Sequence, residues 1–269
     1  MLKIQNAVSE TLLIPLYMKY LDAQEPAPIL NDPAAARLVP QIDYDFAKFR
    51  LARRSQIGTA LRARYFDQLT ADFIRRKPEA VVVAVGCGLD SRYERLGQAA
   101  AHTPFYQLDL PDVIALRREL LPPLPNETLL AASAFSTDWM NDLRQRHPHS
   151  PCFFVLEGVL MYFPEPDVRS LFQNLAQRFP GGELAFDVAG SFMVNHSDQH
   201  DALKHARAQF DFACDDDRQM EAWADNLHLV SAKHMTDFPA ARRIGFSYWL
   251  MRTIAKIRNS YRLLHYHIS

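Results

Sequence analysis

Residues 81–92 read VVVAVGCGLDSR, a run of five apolar residues that ends in a glycine-rich turn. The five apolar residues are β-branched or small and do not alternate with polar ones, which predicts a strand buried on both faces of a parallel sheet. Gly86 and Gly88 allow the chain to turn with positive φ and leave no Cβ between the backbone and a ligand. This stretch therefore predicts the first strand and the ligand-binding turn of an α/β fold.

The segments around this stretch alternate between helical and extended patterns. The further predicted strands are residues 105–109, 128–132, 152–156, 183–188, 228–232 and 261–267. The predicted helices are residues 7–23, 50–77, 90–101 and 168–179, with two more that begin at residues 32 and 111. This order predicts a Rossmann-like, doubly wound α/β sheet of about seven strands. The aromatic, basic connection before the last strand predicts that this strand is antiparallel.

The length and composition of the chain are typical of one large globular domain, with 269 residues of which 48% are hydrophobic and 23% charged. Within this single domain, we expect residues 1–78 to form an N-terminal helical cap and residues 79–190 the cofactor-binding core. Residues 191–226 are polar and rich in His and Asp, which predicts a helical lid over the site. Residues 227–269 are expected to hold the C-terminal strands.

The formal net charge of −1 predicts no overall attraction to nucleic acid or to an anionic membrane. No apolar run approaches the ~18 residues that a membrane span needs, and the first residues lack the apolar core of a signal peptide. We therefore expect a cytoplasmic protein. Its oligomeric state cannot be predicted from these features.

The cysteines and histidines indicate neither disulfides nor a metal site. The three cysteines are far apart and show no CxxC spacing, which is typical of reduced thiols; they are Cys87, Cys152 and Cys214. Three histidines of the predicted lid form no metal-ligand motif; they are His196, His200 and His205.

The glycine turn lacks the third glycine of a dinucleotide-binding fingerprint, because Ser91 stands at that position. No Walker-type phosphate loop is present in the sequence either. A cofactor without phosphates requires only the first two glycines, and S-adenosylmethionine is such a cofactor. Asp109 ends the next predicted strand, where its carboxylate can accept hydrogen bonds from ribose hydroxyls. The alternative for the turn is a tight βα connection that binds nothing.

Several charged residues are candidates for the same site. Glu157 interrupts the apolar stretch CFFVLEGVLMYF at the carboxyl end of a predicted strand, where open α/β sheets bind ligands. The alternative is a surface glutamate just beyond that strand. The cations that could pair with the carboxylate of a methionine moiety are Lys19, Arg62 and Arg64. Their alternative is a solvated position on a helix.

Four motifs together resemble the leucine carboxyl methyltransferase superfamily. They are GCGLDSRYERL at residues 86–96, YQLDLPDVIALRREL at 106–120, TDW at 137–139 and LEGVLMYFPEPDVRSLF at 156–172. Within the superfamily, the chain is most similar to the tetracenomycin-type polyketide O-methyltransferases, and residues 10–39 and 60–69 resemble that group as well. The resemblance covers residues 10–190.

The resemblance implies a class I methyltransferase fold with S-adenosylmethionine as methyl donor. By position, Gly86 would lie against the cofactor, Asp109 would bind the ribose hydroxyls and Glu157 would occupy the family's acidic position after the fourth strand. Lys19 and Arg62 match the basic positions that hold the cofactor carboxylate, with Arg64 as a substitute for Arg62.

The chain departs from the family pattern at two places. Ala134 and Phe135 fall where the family has an Asp-Leu pair beside the adenine, which leaves only backbone and packing contacts there. Ala84 stands where many class I enzymes carry an acidic residue two positions before the first glycine. Neither departure favours a dinucleotide.

The resemblance implies an S-adenosylmethionine-dependent O-methyltransferase that acts on a hydroxyl or carboxyl group of a small polyketide-like or aromatic molecule by in-line methyl transfer. The alternatives are a protein C-terminal carboxyl methyltransferase and a cofactor-binding domain without catalysis. A carboxylate acceptor needs no base, whereas a hydroxyl needs one within hydrogen-bond reach. The sequence does not choose among the candidate bases, which are Tyr162, Asp187, His196 and His200.

An acceptor pocket would be lined by apolar and aromatic residues from the C-terminal part of the chain, although such residues are also typical of an ordinary core. The candidates are Phe192, Met193, Phe210, Phe212, Trp223, Tyr248 and Trp249.

Overall fold

The computed structural model describes residues 2–3, 7–196 and 210–269 of the chain. Its strands are, in chain order, β1 Leu2–Lys3, β2 Ile42–Asp43, β3 Val81–Val85, β4 Phe105–Asp109, β5 Glu127–Ala131, β6 Cys152–Leu156, β7 Glu183–Ala189, β8 Leu227–His234 and β9 Tyr261–Ile268. Its α-helices are α1 Ala7–Ala23, α2 Pro33–Leu38, α3 Arg53–Arg76, α4 Arg92–Leu96, α5 Pro111–Leu120, α6 Asp138–Arg146, α7 Glu165–Arg178, α8 Ser191–Val194, α9 Phe246–Thr253 and α10 Ala255–Arg258.

Over the described residues, seven strands form one sheet in the order β5-β4-β3-β6-β7-β9-β8. The strands from β5 to β7 are parallel, and β9 is antiparallel to both of its neighbours, β7 and β8. The predicted Rossmann-like sheet with an antiparallel last strand is therefore confirmed. The chain passes from β3 to β4 on one side of β3, and β6 later pairs with β3 on its other side. A crevice therefore opens at the carboxyl ends of these strands.

Both faces of the sheet are covered, which explains why the β3 sequence does not alternate. Val81, Val83 and Val85 pack into a core cluster with side chains of α6 and α7. Val82 and Ala84 point to the other face and join a cluster that contains side chains of α3 and α9. A third cluster lies beneath α1 and α2.

The N-terminal cap begins its second helix as the sequence predicts, because the Asp32 carboxylate accepts the backbone N–H groups of Ala34 and Ala35. The predicted helix after Asp90 is shorter than expected. It ends at Leu96, since Gly97 adopts a φ of 51° and breaks the helical backbone.

The region that is predicted to form a lid is helical only in part. Residues 191–194 form α8 and residues 219–222 a 3₁₀ turn, whereas the intervening residues 197–209 lie outside the described part of the chain. Residues 210–216 have no regular structure, yet Phe212 and Cys214 are fully buried. The side chains of Phe212 and Cys214 therefore belong to the core.

No helix of the described residues is both long and apolar enough to cross a membrane.

Glu183, the first residue of β7, forms a buried charged contact with side chains of α3 and β9. Its carboxylate accepts two bonds from Arg76 of α3 and lies 2.8 Å from His265 Nε2 of β9. Burial would raise the pKa of this carboxyl, but the bonds from His265 and Arg76 lower it to about 2. The contact thus fastens α3 to strands β7 and β9 of the sheet.

We expect Glu183→Gln to lower the free energy of unfolding by about 3 kcal/mol at neutral pH, because the lowered pKa stabilises the folded state. The contribution of Glu183 is complete above its ordinary pKa of 4.5 and is lost as the pH falls through about 2. Urea titrations across this range should therefore show a steeper acid loss for the native protein than for the variant. Glu79→Gln, at an exposed residue, is the matched control. Parallel pH curves for the native protein and Glu183→Gln would contradict the assignment.

Candidate functional site

The crevice at the carboxyl ends of β3, β4 and β6 opens into a cavity of about 970 Å³. All seven residues that are predicted to bind the cofactor line it, although six different parts of the chain supply them. They are Lys19, Arg62, Gly86, Asp109, Ala134, Phe135 and Glu157. Arg64, the substitute for Arg62, lies elsewhere: it is exposed and donates to the carbonyl oxygen of Ile29.

The glycine turn presents bare backbone to the cavity. Gly86 and Gly88 have φ angles of 66° and 49°, which side-chain-bearing residues rarely adopt. A Cβ on Gly86 would lie 2.5 Å from a methyl group of Val159, and one on Gly88 would lie 3.0 Å from a methyl group of Leu12. The floor of the site is therefore formed by main chain that any added side chain would displace.

Asp109 holds this turn in place. Its two carboxylate oxygens accept the backbone N–H groups of Gly88 and Leu110, each at 2.8 Å. Burial raises the pKa of the Asp109 carboxyl. A carboxylate has about four acceptor positions, so lone pairs remain for ligand hydroxyls after these two bonds.

Glu157 lies between two guanidinium groups. Arg62 Nε donates to one of its oxygens at 3.1 Å, and Arg92 Nη2 donates to the other at 2.5 Å. Burial alone would raise the pKa of this carboxyl, but the charges of Lys19, Arg62 and Arg92 hold it below its ordinary value. The residue is therefore a buried anion at a strand end and not a surface glutamate.

Asp90 is a second buried anion of the site. Its carboxylate contacts Lys19 Nζ at 2.5 Å, Arg95 Nη1 at 2.8 Å and Arg92 Nη1 at 3.1 Å. Burial opposes ionisation, yet the charges of Arg95, Lys19 and Arg92 hold the pKa of Asp90 well below its usual range. Asp90 stands two residues before the first residue of α4, so the space at the helix N-terminus where a pyrophosphate would bind already holds a carboxylate.

Further ion pairs hold Arg92 and Arg95, the partners of Asp90, in place. Arg92 and Arg95 both bind Asp67 of α3, at 2.8 and 2.7 Å. Arg95 also reaches Asp32 at 2.9 Å, and the Ser91 hydroxyl donates to the same carboxylate. Helices α2, α3 and α4 are thereby joined around the charged groups that face the cavity.

Arg62 is fixed from its far side by two residues of the C-terminal half. Its Nη1 atom donates to Asp187 at 3.0 Å and contacts the Tyr261 hydroxyl at 2.5 Å. Tyr261 also donates to Asp187, whose other oxygen accepts the Gly158 backbone N–H. Burial raises the pKa of Asp187 and raises that of Tyr261 far above its ordinary value.

The candidate bases are not equivalent in the structure. Asp187 is fully buried, does not line the cavity and has both oxygens engaged, so no acceptor can reach it. Tyr162 lines the cavity, but burial raises its pKa to about 12. His196 lines the cavity with Nδ1 bonded to the Phe192 carbonyl oxygen at 2.8 Å, and no partner of Nε2 is found among the described residues. His200 lies outside the described residues.

The wall formed by Ala134 and Phe135 depends on packing and backbone contacts. Trp139, from the TDW motif, donates its indole N–H to the Ala134 carbonyl oxygen at 3.3 Å. The Phe135 ring meets Phe163 edge to face, with centroids 4.7 Å apart. An apolar slot therefore takes the place of the acidic side chain that the family pattern would provide.

The proposed acceptor residues divide into three groups. Phe192, Met193 and Phe210 line the cavity. The other four do not line it: Phe212, Trp223 and Tyr248 are buried in the core, and Trp249 is exposed.

Three residues of the charged cluster or its contacts line the cavity although the sequence did not mark them as site residues. Asp90 and Arg92 stand next to the glycine turn, and charged residues directly after a fully buried strand were the available signal. Tyr261 carries no local signal, because only the pairing of β9 with β7 brings it to Arg62.

The sequence matches the family described as leucine carboxyl methyltransferase over residues 14–176, more than half of the chain. It is 30% identical over 265 residues to the tetracenomycin polyketide synthesis O-methyltransferase TcmP of Streptomyces glaucescens, and the match covers 97% of each chain. It is 29% identical to the S-adenosyl-L-methionine-dependent methyltransferase dpfgK of Gibberella zeae, over 96% of this chain and 92% of that one.

Solved structures share the fold at low sequence identity. A duf574 family protein of Streptomyces avermitilis superposes with a TM-score of 0.62 at 12% identity, over 96% of this chain and 97% of that one. A protein of Thermobifida fusca of known crystal structure superposes with a TM-score of 0.58 at 13% identity, over 94% of both chains.

We expect Gly86→Ala to destabilise the protein for two separable reasons. A positive φ costs an alanine about 1–2 kcal/mol, and the new methyl group would overlap Val159. In thermal or urea unfolding, the double variant Gly86→Ala/Val159→Ala should lose less stability than the two single changes predict together, since Val159→Ala removes the overlap.

Gly181→Ala is the control for the backbone term, because Gly181 has a φ of 79° with open space where the Cβ would stand. Additive losses in the Gly86 and Val159 variants would show that the two sites do not touch.

Proposed function

Since this chain belongs to the leucine carboxyl methyltransferase family, we propose that it transfers the methyl group of S-adenosylmethionine to an oxygen atom of a small, largely apolar molecule. The observation that carries the proposal is the cavity itself, in which the seven expected cofactor positions and a buried cluster of charges meet. We also propose a cytoplasmic location, which the three free, buried thiols support.

The charge of the cluster fits this cofactor. Among the described residues, five carboxylates and four cations form its ion pairs; they are Asp32, Asp67, Asp90, Glu157 and Asp187 with Lys19, Arg62, Arg92 and Arg95. The cofactor carries a sulfonium, an ammonium and a carboxylate, and the cluster offers partners of both signs. A pyrophosphate would add negative charge beside Asp90 and Glu157, which argues against a dinucleotide.

The proposed contacts follow from the groups that remain available. Asp109 would accept bonds from the ribose hydroxyls, while the bare backbone of Gly86 would lie against the cofactor. Lys19 and Arg62 would hold the carboxylate, and no described residue accepts a bond from Arg62 Nη2. Ala134 and Phe135 would contact the adenine by packing, and Glu157 would face the cationic end.

When bound, S-adenosylmethionine supplies an electrophilic methyl group on a leaving group that is already activated. The chain then has to align an acceptor oxygen and exclude water, and alignment of this kind can be worth ~7–11 kcal/mol of the barrier. Apolar and aromatic side chains suit that task on the acceptor side; they include Met161, Phe192, Met193, Phe210, Met235 and Met251. Methionines adapt to varied shapes, which suits a small molecule better than one fixed peptide terminus.

We expect Asp109→Ala to weaken S-adenosylmethionine binding by about 1.5–3 kcal/mol, the scale of a hydrogen bond to a charged group. Isothermal titration calorimetry measures the change directly. Asp112→Ala removes the same charge from an exposed residue near the end of the same strand and should bind normally. Unchanged affinity in Asp109→Ala, with the fold intact by circular dichroism, would contradict the ribose contact.

Methyl release on a panel of aromatic carboxylic acids and phenols tests the reaction. A carboxylate product is an ester that mild base cleaves, whereas a hydroxyl product is a base-stable ether. We expect labelled small molecules; label found only in added protein would support the protein carboxyl methyltransferase instead. Cofactor binding without any transfer would favour the non-catalytic alternative.

His196→Ala distinguishes the two acceptor groups. If the acceptor is a hydroxyl, we expect a loss of about 10²–10⁴-fold in kcat with cofactor affinity unchanged, because the available Nε2 atom would act as the base. If the acceptor is a carboxylate, the kcat of the variant should stay near that of the native enzyme. His228→Ala, at an exposed histidine of β8, is the control.

A further inference from the structure

The connection between β8 and β9 concentrates positive charge. Residues 239–258 read PAARRIGFSYWLMRTIAKIR and contain five Lys or Arg and no acidic residue. The whole chain has 30 basic and 31 acidic residues, so this charge is balanced elsewhere in the molecule. A net charge near zero therefore conceals one strongly basic segment.

Helix α9 in this segment exposes an apolar face. Phe246, Trp249, Leu250 and Ile254 are 77%, 58%, 38% and 43% exposed, and they account for half of the large exposed hydrophobic residues in the described chain. The first three have the i, i+3, i+4 spacing of a single helix face. Tyr248, on the opposite side of the helix, is buried in the core and anchors α9.

Four cations of the same segment accompany this face. In the described part of the chain, no carboxylate forms an ion pair with Arg242, Arg252, Lys256 or Arg258. Lys256 Nζ lies 5.0 Å from the centroid of the Phe192 ring, which itself lines the cavity. We call these four cations and the four exposed apolar residues the α9 patch.

The α9 patch borders the mouth of the cavity. Leu250 and Arg258 belong both to the patch and to the cavity lining, and Ile244, Met251 and Ile257 line the cavity from the same segment. The part of the cavity lining that this segment supplies is therefore mainly apolar, with Arg258 as its cation.

We propose that the α9 patch docks the protein onto an anionic lipid bilayer. Trp, Phe and Leu on one helix face with Lys and Arg beside them are typical of helices that lie in a membrane interface. Monomeric proteins rarely expose a contiguous apolar patch to water, so such a patch indicates an interaction site. Unpaired cations around it are complementary to the negative surface of a cytoplasmic leaflet.

A second copy of the chain fits the patch less well. A symmetric dimer through α9 would set the same unpaired cations against each other, and like charges across an interface oppose association. The sequence-based expectation of no membrane partner used the net charge of the whole chain. A bilayer contacts only one face of the protein, and the local charge of that face can differ from the net charge.

Docking would place the mouth of the cavity at the lipid surface. Acceptors that partition into the bilayer could then enter without crossing water; this part of the inference rests on the proposed function. The docking itself does not depend on methyl transfer and is measured separately.

The test is cosedimentation of the full chain with phosphatidylcholine vesicles that contain phosphatidylglycerol as about a third of their lipid. We expect binding to these vesicles, much weaker binding to pure phosphatidylcholine, and a loss of binding at high salt. Phe246→Ser/Trp249→Ser and Arg242→Ser/Arg252→Ser should each lower the partition coefficient at least about tenfold.

The controls are Leu51→Ser/Val230→Ser and Arg75→Ser/Arg118→Ser, which change exposed residues of the same kinds elsewhere. They should bind like the native protein. Circular dichroism and turnover of a water-soluble acceptor should be unchanged in all four variants, so loss of docking can be told apart from failure of the enzyme.

Three outcomes would overturn the proposal: no binding by the native protein, equal binding to neutral and anionic vesicles, or equal losses in the control variants. A dimer in solution that the Phe246→Ser/Trp249→Ser variant abolishes would assign the patch to a second copy instead.

Discussion

The structure depends on a buried ionic cluster at the carboxyl edge of the sheet. Through Lys19–Asp90, Arg95–Asp32 and Arg92–Asp67 it joins α1, α2 and α3 to the segment after the glycine turn. Removing one partner from such a cluster costs about 3–5 kcal/mol, because it leaves an uncompensated buried charge. The N-terminal helices are therefore fastened to the core by buried ion pairs.

The same cluster gives the site its electrostatic character. Glu157 and Asp90 remain ionised although they are buried, since the surrounding guanidinium groups and Lys19 hold their pKa values low. These anions are fixed before any ligand arrives, and so is the bare backbone of the turn that Asp109 holds. A cationic nucleoside therefore meets a site that needs little reorganisation, which is the condition under which electrostatic interactions are strongest.

The successes and failures of the sequence predictions have physical causes. β3 and β6 were predictable because strands covered on both faces must be continuously apolar. Helix α6, DWMNDLRQR, was not predicted, since Trp139, Met140 and Leu143 are its only core residues among charged neighbours. Residues 210–216 were included in the predicted helical lid, yet they have no regular structure, and Arg262 of β9 donates to the Cys214 carbonyl oxygen there. A contact with a distant strand leaves no pattern in the segment itself.

The sequence by itself determined the parallel sheet, the glycine turn and seven expected cofactor residues, all of which line the cavity, because each stands near the end of an apolar segment or at a position that the family resemblance marks. Only the tertiary structure decided how the charges pair, that Asp187 and Tyr261 fix Arg62, and that Arg64 lies apart. It also decided that α9 turns an apolar face outwards beside the cavity. These outcomes depend on which segments meet in space, and spacing along one chain does not record that.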